Sequence, residues 1–190
     1  MPTFPIITLA DGSISDPAWF ADITSAVNDH ETRITTVETF NSRVIRKTAN
    51  QTVNNSAALV NDTHLLASTL ANTDYAFEVN LFYTSGVTPD LKVALTWPTG
   101  ATCSWMAVGF LSTGINYEID LTTSTYQGAS GTAQAYSGSA SPTVTMQIKG
   151  ILRVAATAGN LQFQFAQNTA NASNTTVKQD SWMRIERVTV

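Results

Sequence analysis

From residue 75 onward apolar side chains recur at every second position, and that period limits the chain to a mainly β fold. In 75–83, Tyr75, Phe77, Val79, Leu81 and Tyr83 share one phase, with Glu78 and Asn80 on the other. Leu91, Val93, Leu95 and Trp97 repeat the pattern, as do Ile115, Tyr117, Ile119 and Leu121. Val144, Met146, Ile148, Leu152 and Val154 share a phase around Gly150, and Leu161, Phe163 and Phe165 alternate with Gln162 and Gln164. Each segment has the form of a strand with one buried and one solvated face. Less regular strands are expected at 59–66, 104–111, 131–137 and 182–190, the last with a bulge where its phase changes between Ile185 and Val188. Turn residues separate them: Ser85-Gly86, Trp97-Pro98-Thr99-Gly100, Ser112-Thr113-Gly114, Ser139-Ala140-Ser141-Pro142 and Ala158-Gly159-Asn160. Eight to ten antiparallel strands without a helical crossover predict a two-sheet jelly-roll sandwich over 47–190.

The first part of the chain is different. Residues 1–47 hold 10 of the 24 charged side chains, whereas only Glu118 and Asp120 are charged between Lys92 and Lys149. Asp16 suits a helix N-cap and Pro17 the first helical position. A heptad then places Phe20, Val27, Ile34 and Asn41 at a, and Ile23, His30, Val37 and Val44 at d. Arg33 at g can meet Glu38 at the following e of a neighbouring chain. The pattern predicts a trimeric coiled-coil helix over 16–46, with those eight residues as the trimer interface. Aromatic and β-branched residues at a and d favour more than two strands. His30 and Asn41 are then polar layers that set register, and an ion held by three His30 rings is the less favoured reading. Ahead of the helix, residues 1–15 form an extended arm, because Pro2 and Pro5 oppose a helix. Its apolar residues Phe4, Ile6, Ile7 and Leu9 are a candidate docking element for a partner surface.

Chemistry-bearing motifs are scarce. No phosphate-binding glycine loop, nucleophile elbow or H-E-x-x-H sequence occurs. Cys103 is the single cysteine, so no internal disulfide forms, and one cysteine with two histidines argues against a structural zinc site. Asp62 and His64 read as a turn aspartate before a strand-entry histidine rather than a metal pair. Asp74, Glu78, Asp90, Glu118 and Asp120 are the carboxylates that could pair as in a glycosidase, but they read as solvated-face residues. Neither catalytic residues, a cofactor nor a metal is expected. Tyr126 and Tyr136, in a stretch rich in Gly, Ser, Ala and Thr, are the candidate ligand surface. Net charge is −4 and the isoelectric point about 5.0, which argues against nucleic acid as a partner. No apolar run reaches membrane-spanning length, so no membrane insertion is expected, and no basic-then-apolar leader is visible at the N-terminus.

The phrases DGSISDPAWFADITSAVNDHETRITTVE, VIRKTANQTVNNSAALVNDTHLLASTLANTDYAFEVNLFY, DLKVALTWPTGA and SWMRIERV resemble small virion surface proteins of tailed bacteriophages that infect actinobacteria, of the minor-tail or fibre-like kind. The resemblance spans nearly the whole chain and rests on no catalytic motif. It implies a trimeric surface protein with a compact β-sandwich head exposed on the phage particle, and it carries over no active-site residues. The reading taken from it is a non-enzymatic homotrimer on the virion surface that docks on other virion proteins through Phe4, Ile6, Ile7 and Leu9 and binds the host, with host-surface glycan as a candidate partner. A capsid decoration or head-fibre protein is the first alternative, and a small glycan-degrading spike the second.

Overall fold

The computed structural model describes residues 17–38, 42–86, 88–109 and 130–188. The chain divides into two compact units, Met1–Asn41 and Ser42–Val190. In the first, α1 (Pro17–Glu38) runs 22 residues, about 33 Å at 1.5 Å per residue. Pro17 opens it, as expected of a proline whose missing N–H costs nothing at the first helical position. Every side chain from residue 21 to 31 is exposed, including Ile23 (41%), Val27 (50%) and His30. The arm residues Phe4, Ile6, Ile7 and Leu9 lie outside the described residues, as do Asn41 and the side chains of Phe20, Ile34 and Val37.

The helix does not extend to residue 46 as the heptad predicts. Residues Ser42–Arg46 form β1, paired antiparallel with β11 (Trp182–Val188) from Ser42↔Glu186 to Arg46↔Trp182. Val44 is therefore a strand residue of the second unit, 62% exposed, and not a position of the helix. The heptad phase continues through Val44 by spacing alone. Val44 and Ile45 are β-branched, and pairing with β11 satisfies their backbone groups in a ladder.

The second unit is mainly β, with antiparallel ladders throughout the described residues. The larger sheet has seven strands. At its centre is β4 (Thr73–Thr84), flanked on one side by β8 (Val144–Val154), which pairs in turn with β6 (Thr102–Val108). On its other side β4 meets two short strands end to end, β11 and β10 (Thr175–Val177). Outside these lie β1 and β2 (Gln51–Val53). The second sheet has the order β3 (Val60–Thr69), β9 (Gly159–Gln167), β5 (Leu91–Thr96), β7 (Gln134–Tyr136).

The apolar phases read from the sequence face inward in both sheets. Tyr75, Phe77, Val79, Leu81 and Tyr83 of β4 join Met146, Ile148 and Leu152 of β8, and Leu91, Val93, Leu95, Leu161, Phe163 and Phe165 from the other sheet, in one core, as in a β sandwich. Gly150 interrupts the β8 phase for a steric reason. It lies opposite Phe77 and Trp105, and a Cβ there would come within 2.5 Å of the Ser104 carbonyl and 2.6 Å of the Phe77 ring.

Two further expectations change. The β11–β4 ladder runs unbroken from Trp182↔Asn80 to Val188↔Asp74, so β11 has no bulge. Its phase change reflects an apolar residue on the open side: Val188 is 39% exposed. The bulge is in β3 instead, where the register with β9 shifts between Asn61 and Leu66. The strand expected at 115–121 falls outside the described residues.

Candidate functional site

The outward face of the larger sheet presents its polar side chains in cross-strand rows, because residues paired in register point the same way. One row reads Arg184, Glu78, Lys149, Met106 across β11, β4, β8 and β6. The next reads Trp182, Asn80, Gln147, Val108. Beyond it Phe82 lies opposite Thr145. These last two rows floor a groove of about 620 Å³, walled at one end by the loop from Ser139 to Thr143. The described residues lining it carry no formal charge.

Glu78 organises the groove from the row beside it. Its Oε1 accepts from Asn80 Nδ2 at 2.8 Å and from Gln147 Nε2 at 2.6 Å, and Gln147 Nε2 also donates to Asn80 Oδ1 at 3.1 Å. Arg184 at 3.8 Å and Lys149 at 4.0 Å balance the carboxylate. Both amides are thereby held in one orientation, with their NH2 groups toward Glu78. Gln147 Oε1 and the Trp182 indole N–H have no hydrogen-bond partner among the described residues. Phe82 is 36% exposed, so an aromatic edge adjoins the amides. The arrangement offers an apolar surface, one N–H donor and one carbonyl acceptor at fixed positions.

A second polar cluster is buried. Lys47 Nζ lies 2.7 Å from Asp62 Oδ2, with both side chains fully shielded from solvent. Lys47 sits in the interruption between β1 and β2, and Asp62 in the β3 bulge, so the pair joins the neighbouring edges of the two sheets. Asp62 Oδ1 accepts the N–H groups of His64 and Leu65, and Gln162 Nε2 donates to the carbonyls of Asp62 and Leu65. His64 is thus a residue of the bulge rather than a strand entry. Its ring shares hydrogen bonds of 2.9 Å with the hydroxyls of Thr48 and Thr63. Every one of these contacts is met within the chain, which makes the cluster a structural clasp.

The structure does not assemble the ligand surface expected from the sequence. Tyr136 is 3% exposed and belongs to the core, its ring occupying the space above Gly109, where a Cβ would lie 2.9 Å from it. A short strand paired with β5 turns this tyrosine inward even though its neighbours are small and polar. Tyr126 lies outside the described residues. Of the carboxylates, Asp74 pairs with Arg153 at 3.9 Å and Glu78 with two cations, while Asp90 accepts the Gly138 N–H. Asp74 and Glu78 are four residues apart on one strand, about 13 Å at strand rise, beyond the span of a carboxylate pair. Glu118 and Asp120 lie outside the described residues. Among the described residues no group of three His, Cys, Asp or Glu could hold a metal ion, and no helix is long and apolar enough to cross a membrane. Trp97 packs against the core, its indole N–H donating to the Ala101 carbonyl.

The groove residues are not legible in the sequence, where Asn80 reads only as a solvated-face residue. Their significance depends on cross-strand register, which a single strand does not display.

No family model and no curated protein matches the chain. Among solved structures, that of the infectious bursal disease virus Gx strain is 15% identical over 78% of this chain, with a TM-score of 0.19. The VP2 subviral particle of infectious bursal disease virus is 12% identical over the same share, also at 0.19. The chain spans 43% and 41% of the length of those two chains. Likeness at that level carries no inference, and the fold rests on the ladders themselves.

Proposed function

We propose that the chain is a non-enzymatic bacteriophage virion structural protein: a homotrimeric surface fibre or spike of the tail that binds the host surface. One observation carries the reading. The chain separates into a helical unit that exposes Ile23 and Val27 at successive d and a positions, and a β unit with its own core. Exposed apolar residues at heptad spacing call for partner helices, and identical chains supply them. The β unit is read as a jelly roll. What supports this is strand order, with β1 and β2 counted as one interrupted strand and β10 and β11 as another. Each strand of the first half then pairs with its mirror partner in the second: β1/β2 with β10/β11, β3 with β9, β4 with β8, β5 with β7. That nesting is expected of a long hairpin rolled into two sheets, with β6 added outside β8.

On this reading the arm docks on other virion proteins, three helices join, and three heads face the host, where weak sites gain by avidity. Electron microscopy of particles carrying a gold-labelled copy tests the placement. Label at the tail is the expected result. Label spread over the head would favour the capsid-decoration alternative, and particles without label would overturn both.

A further inference from the structure

We infer that the groove floored by Trp182, Asn80, Gln147 and Phe82 is a binding site for a neutral oligosaccharide. The inference deepens the host-binding reading and rests on it for its biological role, but its physical argument is local. A sugar ring presents an apolar C–H face and a rim of hydroxyls that both donate and accept. The groove offers the complement: indole and phenyl surface from Trp182 and Phe82, an indole N–H that donates, and a Gln147 carbonyl that accepts.

The absence of charge in the lining selects among ligands. Among the described lining residues an anion or a cation would find no counter-charge, and Glu78, Arg184 and Lys149 in the adjoining row already satisfy one another. The volume of about 620 Å³ falls within the range typical of small-ligand sites, roughly 300–1,000 Å³. Binding needs no rearrangement of the amides, since Glu78 already fixes both. Glu78 is thus a positioning residue, one step removed from the ligand.

The test uses the purified full chain with maltotriose, cellotriose, chitotriose and the acidic control trigalacturonate. Binding is followed by nuclear magnetic resonance of the indole N–H signals, with the Trp182 signal assigned by its loss in Trp182→Phe. At least one neutral trisaccharide should shift the Trp182 signal at millimolar concentration, and trigalacturonate should not. The other three indole signals should not move. Binding by the Trp182 variants, which lack the reporter indole, is followed by the backbone amide signals of Asn80, Phe82 and Gln147: Trp182→Ala should weaken it at least tenfold, and Gln147→Leu at least threefold. Arg153→Ala, three rows away from Gln147 on the same strand and paired with Asp74, should retain neutral-sugar binding. Should Trp182→Ala fail to fold, Trp182→Phe and Gln147→Leu serve, since each removes one hydrogen-bonding group and keeps the bulk. No response to any neutral trisaccharide at about ten millimolar, or undiminished binding in both variants, overturns the inference. Preference for trigalacturonate also overturns it. Sugar binding by a chain that is absent from virions would leave the groove standing and overturn the virion reading. A chain present on virions that binds no sugar would do the reverse.

Discussion

Cys103 lies fully buried on β6, and burial pushes its thiol up to about 12, against a smaller opposing pull from Arg153. The neutral thiol is the form the core tolerates. The unfolded chain loses this proton near pH 9, so above that pH it binds fewer protons than the folded chain and stability falls as pH rises toward 12. Between pH 8 and 10 the wild type should lose about 1.4 kcal/mol more than Cys103→Ala, one pH unit's worth of linkage. Urea titrations at the two pH values measure the difference, and equal losses would show that the thiol is not shielded. Tyr83 is raised in the same direction, chiefly by burial, and its hydroxyl donates to the Ser137 carbonyl at 2.7 Å. Tyr83 is present in both proteins, so its contribution cancels and the comparison isolates the thiol.

At the scale of elements, the interruptions are as ordered as the strands. The ladder of β1 with β11 and that of β2 with β10 keep one register across the gap, with residues 47–50 facing residues 178–181. The gap is closed by its own bonds: Lys47 N–H to the Ser181 carbonyl, Asp180 N–H to the Lys47 carbonyl, and Gln179 N–H to Asn50 Oδ1. Lys47 keeps the inward phase of Ile45 and Val53 and meets Asp62, which faces inward from the β3 bulge of the other sheet. Removing one member of a buried pair leaves an uncompensated charge, so Lys47→Met should cost about 3–5 kcal/mol. Adding Asp62→Asn removes that charge and keeps an oxygen for the His64 and Leu65 N–H groups. The double variant should therefore be more stable than Lys47→Met alone. Denaturant unfolding of the three proteins decides it, and a cost below about 1 kcal/mol for Lys47→Met would remove the clasp from the account of stability.

The whole molecule consists of units with unequal means of holding themselves together. The β unit buries a continuous core, while α1 shows exposed apolar residues and three heptads at most. With Ile23, Thr24, Val27, Thr32 and the run 34–37 all β-branched, α1 gains little from helix propensity and depends on packing of its apolar face. Light scattering should give three times the 20.4 kDa chain mass for the full protein. A chain beginning at Ser42 should retain its cooperative β unfolding transition and show weakened association. A full-length monomer at micromolar concentration would refute the trimer, and a truncated chain that does not fold would show that the helix is needed by the β unit.

Local order was legible where the chain alternates. The inward phases of β4, β5, β8 and β9 follow from spacing alone, because a half-buried strand must separate apolar from polar residues at period two. The helix start at Pro17 was legible for an equally local reason. What depended on partners was not. Spacing at Val44 fits a heptad and a strand equally, and pairing with β11 decides between them. Tyr136 has the sequence surroundings of an exposed residue, and pairing with β5 puts it in the core. The Lys47–Asp62 clasp and the row from Trp182 through Asn80 to Gln147 join residues far apart in the chain. The sequence by itself determined which faces are apolar, since that needs only the period of side chains along one strand. The tertiary structure alone decided which polar residues meet, because register between strands is set by the packing of both sheets on one core.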